Sequence, residues 1–81
     1  MLLRTPADLG SAIRARRREL HLDQDVLAKQ VGVSRKWIID VEKGKPRAEI
    51  GLILRTLDAL GIQISVSGDE AAAEELSLIH I

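Results

Sequence analysis

Eighty-one residues make one domain, near the size at which a single apolar core is only marginally sufficient and self-association often adds stability. There is no cysteine, which excludes disulfide frameworks, thiolate metal sites and thiol nucleophiles and suits a reducing cytosol. The net charge is zero, but residues 1–47 hold 11 Lys/Arg against 6 Asp/Glu (+5) and residues 48–81 hold 1 against 6 (−5). Segregation of this kind predicts one surface that approaches phosphate and another kept away from it or turned to a different partner. No apolar run approaches the roughly 18 residues of a membrane span. The Met-Leu-Leu-Arg-Thr-Pro start lacks the apolar stretch of a signal peptide, so the chain reads as soluble and cytoplasmic.

Thr5-Pro6-Ala7-Asp8 predicts a helix start: a hydroxyl cap, proline at the first position and a carboxylate at the third. Leu9, Ala12, Ile13 and Leu20 follow at helical spacing. Arg17 falls on that apolar face and needs an internal partner, whereas Arg14, Arg16 and Arg18 point elsewhere. His21 stands where the chain must leave the helix in a left-handed turn, which histidine tolerates at some cost.

Asp23 is a good cap for a second, two-turn helix containing Val26, Leu27, Ala28 and Val31, which Gly32 can stop. Ser34 caps a third helix, with Val33 stapled to Ile38, and Gly44 ends it. After the basic connection Lys45-Pro46-Arg47, the residues Ile50, Ile53, Leu54, Leu57 and Leu60 predict a fourth amphipathic helix closed by Gly61, its start poorly marked.

Ile62 to Ser67 then alternate strictly, the pattern of a half-buried strand. A lone strand leaves its backbone groups unpaired, so Ile62, Ile64 and Val66 are expected to pair with the same strand of a second copy in an antiparallel dimer sheet. Residues 68–81 form an acidic, alanine-rich tail. Its last six residues, Leu-Ser-Leu-Ile-His-Ile, match the translation of a transposon-end adapter used in sequencing libraries. Leu76 to Ile81 are either read-through of such an adapter or a short apolar segment with a role of its own.

Gln24 to Lys43 meet, one after another, the requirements of two helices crossing steeply. Apolar residues stand at Leu27, Val31, Val33, Ile38 and Val41, small Ala28 stands at the crossing, and Gly32 stands at the turn. Here residues 8–61 resemble the phage-repressor and Cro-like (XRE) helix-turn-helix family. The resemblance lies in Leu9-Gly10, Ile13-Arg14, Leu22-Asp23-Gln24, Leu27-Ala28, Gly32-Val33-Ser34 and Val41-Glu42-Lys43-Gly44-Lys45. Gly44-Lys45-Pro46, followed by Leu57-Asp58-Ala59-Leu60-Gly61 and a terminal strand, is most similar to HipB-type antitoxins.

The resemblance implies a mostly α, four-helix lambda-repressor-like domain over residues 5–61, a dimerisation strand over 62–67, and DNA as the partner. The third helix would lie in the major groove, with Arg35 and Lys36 as first base readers and Asp40 one turn later. Gln24 and Ser34 resemble the family's phosphate contacts, and Lys43, Lys45 and Arg47 could add charge beyond them. Taken alone, Arg35 and Lys36 could be an ordinary solvated face. Trp37 is read as half-buried packing whose indole N–H could still reach DNA. The family also implies a salt bridge between Arg17 and Glu42.

His21 and the distant His80 make no metal site, and no catalytic grouping or phosphate-binding glycine loop is visible, so neither cofactor nor enzyme activity is expected. The expected function is a homodimeric repressor on a palindromic operator, serving as the autoregulating antitoxin of a HipA-like kinase toxin. Two alternatives stay open: a phage-type repressor without a toxin, and a protein-interaction module on the same scaffold.

Overall fold

In the computed structural model, described over residues 3–64, the chain folds into four helices: α1 (Pro6–Glu19), α2 (Gln24–Val31), α3 (Arg35–Glu42) and α4 (Ile50–Ala59). Three of them begin as their caps predict. Thr5 Oγ1 accepts from the Asp8 amide at 3.0 Å, Asp23 Oδ1 from Val26 at 2.8 Å and Ser34 Oγ from Trp37 at 3.1 Å. Each bond satisfies one of the amides that a helix start leaves without an internal partner. The exception is α4, whose cap residue Glu49 makes no side-chain bond, in line with the poorly marked start. At the other ends, Gly32 (φ 86°) lets the chain turn from α2 into α3, and His21 (φ 56°) takes the left-handed conformation expected of it after α1.

The core is assembled from Ile13, Leu27, Ala28, Val31, Ile38, Val41, Leu57 and Leu60, with Leu9, Val33, Trp37 and Ile53 packed around it. α2 packs against α3, α1 lies against α3, and α4 closes over α2. Gly10 decides how near α1 can come. A Cβ there would collide with the Val41 carbonyl and stand 2.7 Å from that of Glu42, so only hydrogen allows this approach.

Two arginines tie distant helix ends together. Arg55 Nη1 donates to the Val31 carbonyl at 3.1 Å, closing the end of α2, and Arg16 Nε donates to the Leu60 carbonyl at 2.9 Å, closing the end of α4. Both satisfy carbonyls that have no acceptor role left inside their own helix. Thr56, fully buried, bonds its hydroxyl back to the Leu52 carbonyl at 2.7 Å.

Several expectations need correction. Leu20 is not part of the core: it is the C-cap of α1 and 38% exposed, because the apolar face ends where the helix does. Val26 is likewise exposed. Arg16, expected off the apolar face, reaches the Leu60 carbonyl. Ile62, the first residue of the expected strand, packs against the core, and its amide donates to the Leu57 carbonyl at 2.9 Å. No strand occurs among the described residues; Ile64 is exposed, and Ser65 to Ser67, including Val66, lie outside them.

Two glycines should respond in opposite directions to the same change. Gly10→Ala should destabilise by about 1–3 kcal/mol, because backbone must move to admit the methyl group. Gly51→Ala, inside α4 with nothing within 4 Å of the added Cβ, should stabilise by about 0.4–1 kcal/mol through the unfolded chain. Urea midpoints of the two variants check both signs.

Candidate nucleic-acid interface

α3 has two faces with different surroundings. Ile38 and Val41 are buried, and Trp37 is half-buried against the core, so this face holds the helix in place. The opposite face opens with Arg35 and Lys36, whose side chains are 60% and 84% exposed. Their position matters more than their exposure. A helix N-terminus carries partial positive charge and favours anions, yet the first turn of α3 holds no acidic residue and two cations. α1 and α2, by contrast, carry Asp8 and Asp25 in their first turns. The start of α3 therefore breaks the local electrostatic rule that its neighbours obey, an imbalance that an incoming anion would relieve.

The charges around this face are only loosely compensated. Lys36 Nζ lies 3.5 Å and Lys45 Nζ 3.9 Å from the half-buried Asp40 carboxylate, and Arg35 Nε lies 4.0 Å from Asp25. Exposed pairs at such distances contribute little and yield readily to a better partner. Lys43 is the C-cap of α3, and Lys43, Lys45 and Arg47 are all exposed on the connection that follows it. Ile39 is half-buried, in a depression lined by α1, α2 and α3.

Beneath this face is the Arg17–Glu42 pair. Arg17 Nε and Nη2 donate to the two Glu42 carboxylate oxygens at 2.7 and 3.1 Å, with side-chain exposures of 11% and 4%. Arg17 Nη1 donates to the Leu22 carbonyl at 2.9 Å, and Gln24 Nε2 donates to Glu42 Oε1 at 3.2 Å. The hydrogen bonds that the guanidinium donates to Glu42 raise its pKa above the ordinary arginine value, outweighing burial, which lowers it. Gln24, expected to meet phosphate, thus spends one amide hydrogen inside the protein and keeps a second for an outside acceptor. Its tie to Glu42 was missed from sequence, although its place one residue after the Asp23 cap puts it beside the end of α1.

Among the described residues, no group of three or more metal-ligating side chains occurs, and no helix is long and apolar enough to cross a membrane. What remains is a helix pinned from behind and cationic in front.

A family model described as a helix-turn-helix domain matches residues 8–73. The chain belongs to the helix-turn-helix domain family. An uncharacterized HTH-type transcriptional regulator of Sinorhizobium fredii is 45% identical over 64 residues, covering 79% of this chain and 84% of that one. The ImmF control region 10 kDa protein of Bacillus phage phi105 is 43% identical, covering 89% of this chain and 76% of its own length. The immunity repressor of the same phage is 32% identical over 83% of this chain, which spans about half (47%) of that repressor.

Among solved structures, HipB in its complex with an O4 20-mer has the same fold, with a TM-score of 0.76 at 19% identity over 84% of this chain and 96% of that one. The restriction-modification controller protein C.AhdI of Aeromonas hydrophila gives 0.66 at 29% identity, covering 72% and 88%. The four-helix, XRE-type resemblance is thereby established, and the helix-turn-helix chain is a DNA-binding transcriptional regulator and not an enzyme.

Removing one partner of the buried pair strands the other charge. Glu42→Ala should cost about 3–5 kcal/mol, whereas Asp40→Ala, losing only long surface contacts, should stay within about 0.5 kcal/mol of the parent. Equal denaturation midpoints for the two variants would contradict the assignment of Glu42.

Proposed function

We propose that the protein is a sequence-specific repressor that acts in the cytoplasm as a homodimer on a palindromic operator. The observation that carries this reading is the cationic, anion-deficient first turn of α3, held outward by the buried Arg17–Glu42 pair. Arg35 and Lys36 read base edges, Arg35 being suited to guanine O6 and N7. Ser34, the spare hydrogen of Gln24, and Lys43, Lys45 and Arg47 hold phosphates, while Trp37 chiefly packs. Asp40 could accept from cytosine N4, once Lys36 and Lys45 have turned from it to the DNA. Two such helices enter successive major grooves when the half-sites are about 34–36 Å apart.

Self-association is supported by apolar surface outside the core. Ile50 is 75% exposed, and with Leu3, Leu54 and Ile64 it lines a groove of about 440 Å³. Burying such a face against a second copy would supply what a core of this size lacks. Pairing through Ile64 and Val66 would extend the same contact.

The narrower role we propose is the autoregulating antitoxin of a HipBA-like pair, partnered by a HipA-like kinase toxin. It rests on Gly44-Lys45-Pro46 and Leu57 to Gly61, with the shared HipB fold as background. A phage-type repressor without a toxin is favoured by a different observation, the 43% and 32% identities to the two proteins of Bacillus phage phi105. Co-purification of the chain with the product of its neighbouring gene separates them: a kinase-like partner supports the antitoxin, and its absence leaves the phage-type role.

Binding to the DNA upstream of the gene tests the function itself. Arg35→Ala should flatten preference at one base position, while Lys45→Ala should weaken binding to all sequences and lower the salt slope by about 0.9. Unchanged base preference in Arg35→Ala removes that residue as a reader. For the dimer, Ile50→Asp should sediment as a monomer at concentrations where the parent is dimeric; a parent that is monomeric throughout removes the dimer.

A further inference from the structure

α1 contributes to the cationic face in a way that its own sequence does not announce. Arg14 and Arg18 are four residues apart and so share one side of the helix, flanking the buried Arg17. Both are exposed, and neither forms an ion pair among the described residues. They line one wall of an open depression of about 550 Å³ whose other wall carries Arg35 and Lys43, with Ile39 and the Arg17–Glu42 pair also lining it.

Five cations, Arg14, Arg17, Arg18, Arg35 and Lys43, line this depression against three acids, Asp23, Asp25 and Glu42. Glu42 is held by Arg17 and Gln24, Asp23 Oδ1 accepts the α2 capping bond, and Asp25 faces Arg35. Two cationic walls therefore stand across a trough whose lining is net positive. The α3 wall is the one already assigned to DNA. The trough also opens beside the start of α2, where an amide hydrogen of Gln24 remains to be satisfied.

We propose that Arg14 and Arg18 of α1 form a second phosphate-binding wall that grips the DNA backbone bordering the groove entered by α3. The inference rests on the DNA reading above and extends it to a helix outside the helix-turn-helix unit. The ligand is the phosphodiester chain: two guanidinium groups about one helical turn apart match successive backbone phosphates and touch no base. These arginines add affinity and salt dependence without adding sequence preference.

The test compares the parent with R14A/R18A in titrations of a labelled duplex from upstream of the gene, at several salt concentrations, with thermal unfolding as the check on folding. Loss of two phosphate contacts per protomer should lower the slope of log K against log salt by about 1.8 per bound protomer, with the ranking of base variants unchanged. R14K/R18K should restore most of that slope, and Lys29→Ala, on the exposed side of α2, should leave it alone. An unchanged slope in R14A/R18A, while the parent binds with normal salt dependence, overturns this inference and leaves the DNA reading standing. Altered base ranking overturns it too, since the arginines would then be reading sequence. A parent that fails to bind the duplex at any salt concentration overturns both.

Discussion

The carboxylate of Glu42 is the point on which the arrangement turns. It accepts from Arg17 on α1 and from Gln24 on α2 while being the last residue of α3, so one anion fixes three helices. A buried ion pair of this kind contributes little net stability over well-packed apolar side chains. What it supplies is direction, because a bidentate guanidinium–carboxylate pair has a narrow geometric solution. Among the described residues no buried side-chain polar atom is left without a partner, so the desolvation cost of the pair is met by hydrogen bonds. Gly10 works with it: the pair sets the rotation of α1 against α3, and the missing side chain sets their separation.

That rigidity explains why the front of α3 can be electrostatically unsettled. Cations in the first turn of a helix oppose its dipole, and an isolated helix carrying Arg35 and Lys36 there would lose stability at that end. Here the opposing charge costs little because Ile38, Val41 and Glu42 hold the helix from the other side. Residues that hold the helix and residues that face outward thus alternate along the same two turns.

Much of this was legible in the sequence because it depends on short-range rules. Thr5, Asp23 and Ser34 announce helix starts by chemistry that acts within three residues, and the apolar spacing of Leu27, Val31, Ile38 and Val41 marks the buried faces. Arg17 stood out as a charge on an apolar face, although its partner came from the family resemblance. The features that escaped depend on distances only the fold creates. Arg16 meets the Leu60 carbonyl 44 positions away and Arg55 meets that of Val31 24 positions away, and a cation seeking a carbonyl leaves no pattern of its own. Leu20 was misjudged because periodicity extrapolates past a helix end that His21 had already turned. Ile62, read as the start of a strand, packs its side chain against the core and bonds its amide to the Leu57 carbonyl, a tie to α4 that the alternating pattern did not announce.

The long-range hydrogen bonds close a circuit: α1 to α3 through Arg17, α3 to α2 through Gln24, α2 to α4 through Arg55, and α4 back to α1 through Arg16. Each helix is held by two others, so no one of them can swing out without breaking ties at both its neighbours. Wiring of this kind couples the four helices, so a push on any one of them is shared by its two neighbours.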